Sequence, residues 1–218
     1  MLRLSLNSCI KTRPILTIPS SRVSVTLYSI KRYSTAATEQ ENTTSNTIAE
    51  NDTIHRVNLR VGQIIKVEQH PDADHLFIEQ VNVNEELPRT IVSGLAPYMA
   101  KESLLSKRVI VVSNMKPSKF RGVLSQGMLL AAGKDSKVEL LQPSNTCQIG
   151  ERVEIESHPA VGEPDTVLKP KQKIFEGVAQ FLVTDKGKNA TYKGYKLVTS
   201  SDGNQPIQCE TITDGQIS

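Results

Sequence analysis

The chain has 218 residues, of which 38% are apolar and 22% charged, a composition typical of soluble globular proteins with one or two domains. No apolar run approaches the roughly 18 residues of a membrane-spanning helix, and three scattered cysteines argue against a disulfide scaffold or a zinc ribbon. The formal net charge is +3, but residues 1–38 carry six basic and no acidic residues, which leaves the remainder at −3. Any nucleic-acid site in the body of the protein must therefore be a local basic patch.

The first segment, residues 1–37, is predicted to be a mitochondrial transit peptide. It is basic, free of acidic residues and rich in Ser and Thr, and its apolar residues recur at helical spacing from Leu2 to Ile10. It lacks the compact apolar core of a secretory signal, and KRYSTAA (31–37) resembles a mitochondrial processing site. We therefore expect the protein in the mitochondrial matrix; a disordered basic tail is the alternative. Residues 38–53 are polar and without periodicity, which predicts a flexible linker.

Residues 54–158 are predicted to form a small β-barrel. Short stretches that alternate apolar and polar residues predict half-buried strands, and the continuous apolar stretch within 107–113 predicts a central strand. A short helix is predicted over 98–105. Composition alone allows an SH3-like barrel equally well, but a helix between the third and fourth strands favours the five-stranded OB-fold. The predicted strands cover residues 61–68, 76–83, 89–93, 107–113, 126–132 and 152–155.

Residues 159–218 are predicted to form a small α+β unit. Apolar residues from Ile174 to Leu182 lie at i, i+4, i+7 and i+8, which predicts an amphipathic helix of about three turns. The segment 190–199 predicts a hairpin that turns at Lys193-Gly194. So short a unit has little core of its own, so we expect it to pack on the barrel and the whole fold to be mainly β.

Positive charge is concentrated in two blocks of the body. Residues 101–137 hold eight basic and two acidic residues, and residues 166–196 hold seven basic and two acidic residues. The first block contains NMKPSKFRGVLSQGM (114–128), in which Pro117 and Gly122 bracket basic residues on a predicted loop. An OB-fold commonly binds oligonucleotides with such a late loop and one barrel face. Three of its side chains are candidate phosphate contacts: Lys116, Lys119 and Arg121.

Other side chains of the same loop complete the candidate site. Ser125 is a candidate donor to phosphate or to a 2′-hydroxyl, and Met128 a candidate for packing on a sugar or base. Phe120 is interpreted as a core residue, with base stacking as the alternative. With few aromatic residues, a structured RNA read by shape and backbone is favoured over a long single strand. Chemistry alone leaves open that the loop is merely a solvated basic surface.

No catalytic or cofactor site is predicted. The string HPDAD (70–74) with His75 invites a metal interpretation, but it lacks a further His or Cys at a useful spacing, and a capped turn is favoured. No phosphate-binding Gly-rich loop and no nucleophile elbow is present, and no His neighbours a cysteine in the body. The protein is therefore expected not to be an enzyme and to need no cofactor.

Four strings of the body stand out together: NLRVGQI (58–64), HPDADHLF (70–77), RTIVSGL (89–95) and NMKPSKFRGVLSQGM (114–128). In this order they resemble the tRNA-binding domain of the endothelial monocyte-activating polypeptide II type. This domain occurs in the cofactor of aminoacyl-tRNA synthetases, in stand-alone bacterial proteins and appended to some synthetases. LKPKQKIFEG (168–177) and ATYKG (190–194) resemble the extra C-terminal unit of that branch.

The resemblance implies an OB-fold that binds tRNA by shape, without strong preference among tRNAs. It implies a site made of the loop residues already named, with Asn114 shaping the loop, and it implies that residues 159–218 stand in for a second subunit, so that the protein is a monomer. Phe120 departs from the smaller residue usual in the family. The transit peptide stands where the synthetase cofactor has its helical docking domain.

The sequence thus predicts a non-catalytic mitochondrial tRNA-binding protein, with an aminoacyl-tRNA synthetase as a candidate partner whose reaction it would assist. Two alternatives stay open at this point. One is a protein–protein scaffold of a synthetase complex, in which the basic loop is incidental. The other is a generic binder of single-stranded nucleic acid, which would bind unstructured oligonucleotides equally well.

Overall fold

The computed structural model describes residues 48–218; the predicted transit peptide and residues 38–47 of the predicted linker lie outside the described residues. Among the described residues, no helix is both long and apolar enough to cross a bilayer. Residues 48–218 contain two short α-helices, α1 (Lys101–Leu104) and α2 (Ile174–Ala179). The strands are β1 (Leu59–Gln69), β2 (Phe77–Asn82), β3 (Arg89–Ser93), β4 (Arg108–Val112), β5 (Ser118–Phe120), β6 (Val123–Ser125), β7 (Met128–Leu129), β8 (Ala131–Lys134), β9 (Lys137–Leu140), β10 (Glu154–Ile155), β11 (Leu182–Thr184), β12 (Ala190–Tyr192), β13 (Tyr195–Thr199), β14 (Gln205–Pro206) and β15 (Gln216–Ile217).

Five antiparallel strands form a nearly closed barrel in the order β3-β2-β1-β4-β7. The edges approach each other where the Gln126 amide donates to the Thr90 carbonyl at 2.8 Å. Helix α1 lies between β3 and β4, as predicted, but spans four residues rather than 98–105. Gly62 of β1 is required by close packing, because a Cβ there would lie 2.7 Å from Val81 Cγ1. The mainly β fold with an OB-type barrel is confirmed.

Strand β4 is buried on both faces and contributes to two apolar clusters, one inside the barrel and one between the barrel and the tail. Val109 and Val111 point into the barrel core, whereas Ile110 and Val112 belong to a second apolar cluster on the opposite face. All four are fully buried, so a strand covered on both faces shows a continuous apolar run instead of alternation. The second cluster is completed by the tail, including Leu168.

The tail adds its strands to strands that continue from the barrel. A second sheet runs β10-β13-β12-β11-β15-β8-β9, with β14 beside β13, and β15 pairs with both β8 and β11. The predicted hairpin at Lys193-Gly194 is present. The predicted three-turn helix is wrong in length: α2 ends at Ala179, Phe181 is 47% exposed, and Leu182 instead pairs with Tyr192 in the sheet. Leu182 has the spacing of a helical residue, but in the structure it belongs to a strand.

The last residues of the predicted linker are packed against the protein. Ile48 is buried in the apolar cluster shared with the tail. The Asp52 carboxylate accepts hydrogen bonds from the Tyr192 hydroxyl at 2.7 Å and from Lys193 Nζ at 2.5 Å. Burial by itself raises the pKa of this carboxyl, but the hydrogen bonds outweigh burial, so the pKa of Asp52 is lowered. Residues that precede Ile54, where the barrel was predicted to start, are therefore packed on the fold as well.

Candidate nucleic-acid interface

The basic segment predicted as a loop is a two-stranded hairpin. Strands β5 and β6 pair through Ser118 with Ser125, Lys119 with Leu124 and Phe120 with Val123. The turn residues Arg121 and Gly122 have φ values of 46° and 91°. Two successive residues with positive φ form a type I′ turn, whose twist matches that of the flanking strands. Gly122 supplies this conformation without strain, so the hairpin geometry follows from local turn chemistry.

The hairpin presents cations and apolar side chains to solvent together. Lys116, Lys119 and Arg121 are all exposed. Phe120 is 45% exposed and Leu124 44% exposed. The interpretation of Phe120 as a core residue is therefore wrong, because the narrow hairpin has no interior of its own to bury it in. Exposed cations beside exposed apolar groups suit a ligand that offers phosphates next to sugar or base surfaces.

Ser125 and Met128 lie at the base of the hairpin rather than at its tip. Ser125 is 3% exposed; its hydroxyl accepts from the Val92 amide at 3.0 Å and donates to the Gly127 carbonyl at 3.0 Å. As placed, it holds β6 against β3 and has no free donor for a ligand. Met128 is half-buried in β7 and packs on the apolar cluster beneath.

His70 fastens the tip of the hairpin to the barrel. The imidazole is 1% exposed; its Nδ1 lies 3.1 Å from the Asp72 amide and its Nε2 lies 3.2 Å from the Phe120 carbonyl. Since an amide can only donate, Nδ1 accepts, and the ring proton on Nε2 is donated to the hairpin. The HPDAD turn thus supports the site, and within residues 48–218 no three His, Cys, Asp or Glu side chains lie together so as to hold a metal ion.

Asn114, which lies four residues before the hairpin, joins the segment leading into the barrel to the tail. It is 4% exposed, and its Oδ1 accepts from the Asn58 amide at 3.0 Å. Its Nδ2 donates to the carbonyls of Arg56 at 2.9 Å and Asp165 at 2.8 Å. Asn114 thus forms a three-way clamp whose bonds reach 51 to 58 residues along the chain.

Two arginine–carboxylate ion pairs lie near the hairpin. The Arg56 guanidinium donates to both carboxylate oxygens of Asp165, at 3.2 and 2.7 Å, and the bond to Arg56 lowers the pKa of that carboxyl. Arg89 pairs with Glu85 at 2.7 Å and donates to the backbone carbonyls of Ser113 and Gln126. Arg89 therefore holds the base of the hairpin, a role that spacing in the sequence gave no signal for.

An open groove of about 510 Å³ runs beside the base of the hairpin. It is lined by Met115 and Pro117 near the hairpin and by Thr166 and Val167 of the tail. Leu87, which is 75% exposed, also lines it. The candidate interface thus consists of the basic hairpin together with a groove shared by barrel and tail.

The comparisons with known proteins bear on this interface. Residues 59–152 match the family described as "Putative tRNA binding domain". The chain is 41% identical over 150 residues to aminoacyl tRNA synthase complex-interacting multifunctional protein 1 of Cricetulus griseus, covering 69% of this chain and 41% of that protein. It is 40% identical over 181 residues to the cytoplasmic tyrosine–tRNA ligase of Gallus gallus, covering 82% of this chain and 34% of that enzyme.

The chain spans about two fifths or less of the length of those two relatives. One solved structure, by contrast, is matched over almost its whole length. The C-terminal domain of p43 of Plasmodium vivax is 35% identical, with a TM-score of 0.71, and the match covers 76% of this chain and 98% of that one. This coverage extends well beyond residues 59–152, so the likeness includes much of the tail as well as the barrel.

Proposed function

Because this chain belongs to the family of tRNA-binding domains, we propose that it captures tRNA through the hairpin Ser118–Ser125 and catalyses no reaction on it. The single observation that carries the proposal is the hairpin itself, which exposes Lys119 and Arg121 on a backbone fastened by His70, with the exposed Lys116 two residues before its first strand. Cations fixed in this way contact phosphates without sequence preference, with an affinity that falls as salt rises. The support provided by His70 lowers the entropy lost when a ligand orders the loop.

A binding experiment on the full chain tests this proposal. Equilibrium binding to a folded tRNA, a tRNA minihelix and an unstructured RNA of matched length would be measured across a salt series. The hairpin variant carries Lys116→Gln, Lys119→Gln and Arg121→Asn, since Asn tolerates the positive φ of the turn. We expect it to bind more weakly and to lose about 2 to 3 from the slope of log K against log salt, at 0.7 to 0.9 for each phosphate contact.

The matched control removes three exposed lysines elsewhere, through Lys101→Gln, Lys137→Gln and Lys186→Gln. It makes the same change in net charge and should bind like the wild type to within the small effect of long-range charge. A folded hairpin variant with the affinity and slope of the control would exclude this site. Equal binding of all three RNAs by the wild type would instead indicate a generic RNA binder.

We also propose that the protein acts in mitochondria and assists an aminoacyl-tRNA synthetase by raising the local concentration of tRNA. The basic, acid-free residues 1–37 support the location, and the synthetase-related relatives support the partner class. A tagged full-length protein that stays cytosolic and uncut would contradict the location. Failure to change the rate of any organellar aminoacylation reaction at limiting tRNA would contradict the assistance.

The protein is further proposed to be a monomer, with residues 159–218 occupying the place of a second subunit. The support is that the tail buries a barrel face containing Ile110 and Val112, which would otherwise expose a large apolar patch. Light scattering coupled to size exclusion should give the mass of one chain, 24.0 kDa if unprocessed. A concentration-independent mass of twice that value would contradict the proposal.

A further inference from the structure

The seven lysines of the basic block 166–196 fall into two groups in the structure. In the first group, Lys193 pairs with Asp52, and Lys188 donates from Nζ to the Glu210 carbonyl at 3.1 Å. These residues, with Lys186 and Lys196, belong to the turns and strands of the second sheet. The second group is exposed, and within residues 48–218 its ammonium groups have no hydrogen-bond or salt-bridge partner. It consists of Lys169, Lys171 and Lys173.

The backbone brings the second group to the hairpin. Leu168 forms a parallel bridge with Met115, and the Leu168 amide donates to the Asn114 carbonyl at 2.8 Å. Bridged chains lie about 4.8 Å apart. Lys116 and Lys169 are the next residues of two chains running side by side in the same direction. Basic residues that are 53 positions apart in the sequence are therefore neighbours at one edge of the groove.

This tail segment is held rigidly in place. At its start, Asp165 is bonded to Arg56 and Asn114. Near its end, Arg56 also donates to the Gln172 side-chain oxygen at 3.2 Å, and in the middle Leu168 is 5% exposed. The lysines are thus presented from a fixed backbone, which reduces the entropy lost on binding.

The charge of the segment is only partly compensated by nearby acids. Asp165 is paired with Arg56, and Glu85 across the groove is paired with Arg89. The exposed acids that remain in the region are Glu86 on the groove, Glu163, two residues before Asp165, and Glu176, three residues after Lys173. The three tail lysines together with Lys116, Lys119 and Arg121 outnumber these three acids, and they leave a net positive surface where the tail segment adjoins the hairpin.

We propose that residues 165–173 form a second phosphate-binding row of the interface, and that the two rows together hold the backbone of a double-helical arm of tRNA. The inference rests on the proposed function. Double-helical RNA is recognised mainly through its shape and backbone, which suits two adjoining basic rows with few aromatic residues. The tail is accordingly part of the binding site as well as a cover for the barrel.

The test uses the full chain with Lys169→Gln, Lys171→Gln and Lys173→Asn, Asn being chosen because Lys173 has a φ of 49°. Binding is compared with the wild type, the hairpin variant and the control that removes Lys101, Lys137 and Lys186. We expect the salt slope on folded tRNA and on the minihelix to fall by about 2, and affinity at 0.1 M salt to fall about tenfold or more. Arginine at all three positions should restore both quantities.

Circular dichroism first establishes that each variant is folded. If the wild type binds tRNA and the hairpin variant loses binding, but the tail variant behaves like the control, the inference is overturned while the proposed function stands. If the wild type does not bind tRNA, both are overturned. A loss that is equally large on unstructured RNA would overturn the assignment to a double-helical arm.

Discussion

Replacing Asn114 by Ala tests whether its clamp between the barrel and the tail stabilises the fold as its contacts indicate. The truncation removes three hydrogen bonds from a side chain that is 4% exposed. The Arg56 carbonyl keeps a partner, because the Asp165 amide donates to it at 3.1 Å. The Asn58 amide and the Asp165 carbonyl lose the only partners they have in the described part of the chain.

The expected destabilisation follows from those two groups. A polar group left without a partner in a buried or half-buried place costs about 1 to 3 kcal/mol. Because both groups lie in partly buried surroundings, the sum is about 2 to 4 kcal/mol, which corresponds to about 4 to 16 °C in the melting temperature of a domain of this size. The clamp should therefore be among the larger single-residue contributions to stability.

Urea unfolding followed by circular dichroism measures this quantity, since the chain has no Trp to report by fluorescence. Asn145→Ala is the matched control: Asn145 is exposed, and its side chain makes no hydrogen bond within residues 48–218. The control should change the free energy of unfolding by less than about 0.5 kcal/mol. If Asn114→Ala changes the free energy of unfolding as little as the control does, then solvent or a rearranged backbone satisfies both groups and the reasoning is refuted.

Three further predictions concern buried titratable groups. His70→Gln should weaken tRNA binding several-fold while leaving the salt slope unchanged, because it loosens the hairpin without removing a cation, whereas the exposed His75→Gln should change neither. Burial raises the pKa of Glu79 to about 7, so the folded state holds a proton that the unfolded state has lost above its ordinary pKa of 4.5. Stability should therefore fall as pH rises from about 4.5 to 7, by about 3 kcal/mol relative to Glu79→Gln in urea titrations, and a constant difference would contradict this. Burial also raises the pKa of Cys147 and Cys209, so peptide mapping after alkylation near neutral pH should find both modified only after unfolding; rapid native labelling of either would contradict its burial.

Strand positions could be predicted from the sequence because their signal is local. Alternation predicted the strand over residues 76–83, which the structure has as β2 with every second residue buried, and the apolar run within 107–113 predicted the central strand β4. The hairpin at Lys193-Gly194 was likewise fixed by its turn residues. The helix from Ile174 was predicted too long, because its last apolar residue satisfies helical spacing and strand pairing equally, and only the partner Tyr192 decides between them.

The candidate site divides in the same way between local and distant information. The cations of the loop are close in sequence, so their clustering could be predicted, but the type I′ turn could not, because Arg121 at its first position is not a residue that favours positive φ. The contacts that hold the site in place could not be predicted, because His70 bonds to a carbonyl 50 residues away and Asn114 to one 51 residues away. Both bonds end on backbone carbonyls, which every residue possesses, so no side-chain pattern in the sequence marks the partner. The seven tail lysines likewise form a single block in the sequence. The backbone bridge between Leu168 and Met115, which the sequence does not mark, shows which of these lysines lie beside the hairpin.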